Sequence, residues 1–340
     1  MLWIRNKTPF SAGMTVCPDK DGIDTVIGVV KASFGTHSDR ICPSKEQPPV
    51  ITADQYHGAP GKSSIKYASE MSLPKPATDI VMNCHALAPG NTPVEALQVR
   101  LTVGEYDKSV IVYGDRFWRR KSGFYIKTSP ELFIKKPVIY ENAFGGTDPD
   151  APKRTEIRNP VGCGIKTQNP APALALALAK VPNVEDPAKL IHGRSQRPEP
   201  AGFGYIAPDW VQRAQYAGTY DETWQKDRAP FLPEDFNPRF FNAAHPDLIT
   251  RSFLKGGENV LLINTSPNGP VSYTLPRINF DFVFHIAGQK TVVRPVMDTL
   301  LMEPDHDRFS MIWRACTTCD KTVLQVDTLE IHASSSDVAL

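Results

Sequence analysis

The chain has 340 residues, 31 of them proline, and its 38 Lys+Arg nearly cancel its 37 Asp+Glu. So many prolines exclude an all-helical bundle, because each removes a helix N–H and clashes with the preceding turn; an apolar fraction of 41% excludes a disordered chain. The charge balance argues against a dedicated nucleic-acid binder, which needs a basic excess, and no run of 18 apolar residues exists to make a membrane helix.

The chain begins M-L-W-I-R-N-K-T-P-F, without the apolar core of a signal peptide, so a cytoplasmic protein is expected. Six scattered cysteines fit reduced thiols in that compartment. Thr25 to Phe34 is β-branched and predicts a strand. Leu97, Val99, Leu101 and Val103 alternate with polar partners and Val110 to Tyr113 returns, which predicts a hairpin turning over Gly104 to Lys108.

From Gly146 to Trp210 there are ten prolines in 65 residues, which predicts a long irregular arm. One helix is predicted inside it, over Ala171 to Ala179. The last third returns to strands: Asn259 to Asn264, a Ser266-to-Gly269 turn, Val271 to Leu275, then Ile278 to Ile286 with Ile278, Phe280, Phe282, Phe284 and Ile286 on one face. Phe309, Met311 and Trp313 alternate, Val323 to Ile331 closes the series, and Ser334 to Leu340 is expected to fray. The expected fold is mainly β: an antiparallel sandwich or partial barrel with a proline-rich arm and one or two short helices. The expected divisions are a β region over 1–145, the arm over 146–210, an aromatic segment with a second β region over 211–333, and a tail over 334–340, with 1–333 one integrated domain.

Common catalytic motifs are missing: no G-x-S-x-G, no G-x-x-x-x-G-K-[ST], no H-E-x-x-H. Gly202-Phe203-Gly204 lacks the third glycine of a dinucleotide loop. Cys316-Thr317-Thr318-Cys319 supplies half of a zinc site, which His306 and His332 would complete only if folding brought them together, and is read as two thiols at a hairpin tip. Cys163, between two glycines, would need a base such as His192 to be a nucleophile, and is read as a thiol in a tight turn. No metal, cofactor or catalytic residue is expected.

The densest signal is Ala201 to Ala244, with ten of the chain's 31 aromatic residues in 44 positions. Three readings stay open. The first is a packed segment whose rings fill the core, with Trp224 buried and Arg239 paired to Asp235 or Asp221. The second is a protein-binding surface, since Trp, Tyr and Arg anchor interfaces. The third is a glycan cleft in which Asp221 and Asp235 supply the acid and base of a cell-wall hydrolase.

Ala217 to Ala244 (A-G-T-Y-D-E-T-W-Q-K-D-R-A-P-F-L-P-E-D-F-N-P-R-F-F-N-A-A) resembles the signature of a bacterial family first catalogued as a domain of unknown function. Pro76 to Ile80 (P-A-T-D-I), Tyr113 to Arg116 (Y-G-D-R), Tyr140 to Gly146 (Y-E-N-A-F-G-G), Arg158 to Gly162 (R-N-P-V-G) and Phe253 to Glu258 (F-L-K-G-G-E) resemble its other motifs, in the same order. Asn142 departs from the pattern, standing where arginine is common. The resemblance implies a type VI secretion effector adaptor, or chaperone. Such a protein is not an enzyme; it holds a toxic effector and helps load it onto the VgrG or PAAR spike, with no nucleic acid or membrane as partner. Tyr220, Asp221, Trp224, Arg228, Asp235, Arg239, Phe240, Phe241 and Asn242 are the candidate binding or structural residues it points to.

Overall fold

The structure is a computed structural model that describes residues 3–36, 41–148, 151–165, 180–335 and 337–338. It is mainly β, as expected. A central six-stranded sheet runs Ser11–Pro18, Asp24–Gly35, Arg308–Thr318, Val296–Glu303, Asp79–Met82, with Cys42–Pro43 paired to the end of Asp24–Gly35. All its pairings are antiparallel except that of Val296–Glu303 with Asp79–Met82. The first and last thirds of the sequence therefore share one sheet.

Asp24–Gly35 is buried along its interior on both faces, which explains why its apolar residues do not alternate cleanly. On one face lie Val26, Gly28, Val30, Ala32 and Phe34. Here a four-stranded sheet packs: Trp3–Asn6, Val326–Ser335, Ile278–Ile286, Gln289–Val293. A Cβ on Gly28 would sit 2.7 Å from Leu329 Cδ2 and 2.9 Å from Phe282 Cδ2, so glycine sets how closely the two sheets approach. Ile278–Ile286 buries Ile278, Phe280, Phe282 and Phe284 and exposes Asn279 and Asp281, the predicted alternation of a strand with one wet face.

A chain of rings fastens a third sheet. Phe280 meets Phe10 at 6.1 Å, Phe10 meets Phe34 at 5.6 Å, Phe34 stacks on Phe309 at 5.3 Å, and Phe309 stacks on Tyr273 at 4.6 Å. Tyr273 belongs to Val271–Thr274, the edge of a five-stranded sheet that continues through Asn259–Ile263, Ala96–Val103, Tyr106–Tyr113 and Val184–Glu185.

The other face of the central sheet sets buried charged groups among apolar ones such as Ile27, Val29 and Ile312. Lys31 Nζ lies 2.7 Å from Glu70 Oε1, and the Ile51 N–H donates to Glu70 Oε2. Burial pushes the Glu70 carboxyl up, against the pull of the Lys31 ammonium. The Arg314 guanidinium sits 3.2 Å from Asp298 and donates to the Glu70 and Leu73 carbonyls. Lys75 Nζ donates to Asp79 Oδ2 and to Thr299 Oγ1, each at 2.7 Å. Asp79, fully buried, also accepts from Asn242 Nδ2 and the Ala243 N–H, both at 2.8 Å.

Several boundaries differ from expectation. The 96–113 hairpin turns over Gly104-Glu105 alone, with Val103 opposite Tyr106, because Gly104 adopts φ 55° and closes a two-residue turn. Phe309, Met311 and Trp313 do lie at alternate positions of one strand, and that strand is buried on both faces. The last strand starts at Val326, since 320–325 forms a 3-10 turn, and it runs to Ser335, into the tail expected to fray; 336 and 339–340 lie outside the described residues. So does the helix expected over 171–179. Among its described residues the arm holds only two-residue strands such as Cys163–Gly164 and Lys180–Val181.

Removing one partner of a buried ion pair leaves the other charge unpaired, at a cost of about 3–5 kcal/mol. Asp79→Ala should therefore lower unfolding free energy by about that amount, measured by urea denaturation. Adding Lys75→Met to it should recover part of the loss.

Candidate docking site on the aromatic lobe

The aromatic segment is divided by the fold. Phe203, Tyr205 and Trp210 are buried in the main core. Trp210 meets the Tyr140 ring edge-on at 5.2 Å, and Gly202 lets that ring approach to 3.0 Å from where a Cβ would be. The chain then leaves the core, forms a lobe over residues 217–241, and returns at Asn242, which is fixed on Asp79.

Local hydrogen bonds build the lobe. Asp221 caps the helix Glu222–Asp227, its Oδ1 accepting from the Trp224 N–H at 2.8 Å, the usual reward for aspartate at this position. Arg228 donates to the Leu232 carbonyl at 3.0 Å and to the Lys20 carbonyl at 2.6 Å, which clamps the lobe to the 19–22 turn. Arg213 donates to the Ile206 and Phe240 carbonyls. Phe236, Phe240 and Phe241 form a ring cluster with centroids 5.3–5.8 Å apart.

Trp224 is not a core residue. It is half-buried, its Nε1–H donating to the Phe231 carbonyl at 2.8 Å. Tyr220, 54% exposed, packs edge-on against it at 4.7 Å. Arg239 is exposed, and among the described residues its guanidinium has no ion-pair partner; only its backbone N–H is held, by Asn237 Oδ1. The expected pairing with Asp221 or Asp235 fails because nearer donors already occupy both carboxylates. Asp235 accepts from the Thr219 N–H at 2.9 Å and its hydroxyl at 2.7 Å.

Between the Asp221 and Asp235 turns lies an open cleft of about 370 Å³, walled by Trp224, Thr219, Asp227, Arg228 and Glu234. Its wall is acidic, since Asp221, Asp227, Glu234 and Asp235 outnumber the one cation, Arg228. The Thr219 N–H and hydroxyl hold the Asp235 carboxyl below the usual carboxylate range. A glycosidase needs one carboxyl kept protonated; Asp235 is ionised and Asp221 serves as a cap. The cleft can take up a cationic or aromatic group, and nothing in it activates a nucleophile.

A second cluster of titratable groups lies elsewhere, around His245. His245 is pushed down to about 4, first by burial and then by Lys108. Its Nδ1 accepts from the Asp247 N–H, and Lys108 Nζ is 2.7 Å from Asp247 Oδ2. These contacts commit the imidazole as a neutral structural group. Burial raises the Cys163 thiol to about 11, so it is not a thiolate at neutral pH. Cys319 donates to the Asp24 carbonyl, and among the described residues no group of three His, Cys, Asp or Glu has a metal-holding arrangement.

Sequence reasoning missed what the motifs do to one another. Thr78 binds the Met297 carbonyl and receives the Leu254 N–H, joining P-A-T-D-I to F-L-K-G-G-E. Asn159 donates to the Tyr140 and Phe144 carbonyls, joining R-N-P-V-G to Y-E-N-A-F-G-G. Asn142, in place of the common arginine, donates to the Pro137 carbonyl. The clustering of small polar residues and glycines in these motifs was the available signal.

The model of a family described as "Uncharacterized protein conserved in bacteria (DUF2169)" matches residues 21–314, and the chain belongs to that family. No curated protein and no solved structure matches the chain. Among the described residues no helix is long and apolar enough to cross a membrane.

Two outcomes follow from the lobe's geometry. Trp210→Ala should cost about 3–5 kcal/mol as a core ring, whereas Trp224→Ala should cost about 1 kcal/mol, near the typical single-substitution effect; thermal unfolding of both separates them. Asp235 is depressed in the folded state, so its contribution is complete above the unfolded value of about 4 and lost as pH falls through the folded value. Amide exchange should show Thr219 protection falling below about pH 4, and Asp235→Asn should flatten that dependence.

Proposed function

We propose that this member of the DUF2169 family is a cytoplasmic, non-enzymatic adaptor that binds a toxic effector and helps load it onto the VgrG or PAAR spike of a type VI secretion system. The observation that carries the reading is the exposed Tyr220–Trp224 ring pair beside the acidic cleft, on a lobe that Arg228 and Asn242 tie to a rigid β scaffold. Exposed aromatic anchors on a pre-organised base are what a protein interface requires, because little entropy is lost on docking. The nature of the cargo comes from the motifs' resemblance to the adaptor family. The hydrolase alternative using Asp221 and Asp235 is disfavoured by the ionised state of Asp235 and the capping role of Asp221.

Co-expression with the toxin encoded beside it should give a complex that survives size-exclusion chromatography. Tyr220→Ala with Trp224→Ala should weaken that complex by about 2 kcal/mol or more, the cost of losing interface hot spots, at near-wild-type circular dichroism. Wild-type affinity in the double variant would remove the lobe as the docking face. A chain that binds neither the toxin nor the spike proteins would sink the adaptor reading itself.

A further inference from the structure

A second surface lies on the hairpin of Arg116–Lys121 and Phe124–Lys127. Ser122 and Gly123 close it with φ of 48° and 87°, and the register places Lys121 opposite Phe124 and Arg119 opposite Ile126. Directly opposed residues share a face. One face carries Trp118, which packs with Phe144, Val181 and Ile191 in a small core of its own. The other face carries Arg119, Lys121, Phe124 and Ile126. Phe124 is 76% exposed and Ile126 44%, and among the described residues neither cation has an ion-pair partner.

The hairpin's outer strand, Phe124–Lys127, is a sheet edge. Thr128 N–H donates to the Phe117 carbonyl, so by alternation along an antiparallel pair the backbone groups of Tyr125 and Lys127 point away from the hairpin. Among the described residues no backbone group meets them. Natural edges are usually blunted by charge on the edge strand itself. Here the edge strand begins Phe-Tyr-Ile, and the cations Arg119 and Lys121 sit one strand inward. The strand is also held in place: the Arg194 guanidinium lies 4.3 Å over the Tyr125 ring, and Lys127 Nζ donates to the Ile191 carbonyl.

We propose that this edge takes up an extended, acidic segment of a partner protein by strand addition. The segment's backbone pairs with the open groups of Tyr125 and Lys127, and its apolar side chains cover Phe124 and Ile126. Its carboxylates reach Arg119 and Lys121 across about 10 Å, the spacing of alternate strands, which a long acidic and a long basic side chain span together. An acidic occupant is required because the exposed charges on that face are all positive. This surface is separate from the aromatic lobe and does not depend on what the lobe binds.

The test uses the full chain and a fluorescein-labelled eight-residue peptide, Glu-Thr-Val-Thr-Glu-Thr-Val-Thr, whose glutamates and valines all fall on one face of a strand, read by fluorescence anisotropy. Two controls share its length: one with lysine for glutamate, and one with proline at two central threonines, which removes N–H groups that would pair with the edge. The acidic peptide should bind at least tenfold more tightly than either control. Arg119→Glu with Lys121→Glu should weaken it at least tenfold with unchanged melting, and Tyr220→Ala with Trp224→Ala should leave it unchanged. Equal binding of the three peptides, or none, overturns the proposal. So does binding to phosphatidylserine-containing vesicles without binding to the acidic peptide, which would assign the face to a lipid surface.

Discussion

Asp79 is a carboxylate with no access to solvent, and much of the long-range order of the chain serves to satisfy it. A buried charge is tolerated only when it is paired and hydrogen-bonded. Its partners come from both ends of the sequence range: the ammonium of Lys75, four residues before it, and the Asn242 amide and Ala243 N–H, more than 160 positions later. Lys75 in turn binds Thr299 on the neighbouring strand. Misplacing any of these segments leaves a charge or an amide unpaired in a dry interior, so the network selects one arrangement of the chain over compact alternatives.

The same logic runs through the other motifs. Asn183 donates to the Tyr113 and Gly114 carbonyls, and Arg116 pairs with Glu185 while its guanidinium lies 3.6 Å over the Tyr113 ring. A Cβ on Gly256 would meet the Pro276 carbonyl at 2.4 Å, and its φ of 84° already favours glycine. Side-chain amides bonded to backbone carbonyls, and glycines at close approaches, are how irregular segments keep their buried polar groups satisfied without a regular ladder. Most of the family-like residues therefore hold the arm and loops on the sheets. In the proposed adaptor, docking falls to the smaller part of the long motif that the lobe lifts away from the core.

The lobe and the 116–127 hairpin also show how little a net charge of +1 says about surfaces. One presents carboxylates beside exposed rings; the other presents cations beside exposed apolar side chains. Their charges cancel in the composition and not in space, so two surfaces of opposite preference are available on one nearly neutral molecule.

The sequence by itself determined the mainly β class, the positions of most long strands, and which face of Ile278–Ile286 is buried, because period-two alternation and proline–glycine punctuation act over a few residues. It also marked residues 217–244 as the stretch that carries the family likeness. Only the tertiary structure decided what those residues do. Trp210 and Trp224 are 14 positions apart in one aromatic run, yet one is core and the other stands half-exposed on a lobe. Asp221 and Asp235 looked available to Arg239, yet local caps claim them first. Asn242 looked like one more motif residue until Asp79 was brought beside it. Burial and ion pairing depend on which distant segments meet, and that is set by how the sheets pack on one another, which no local pattern encodes.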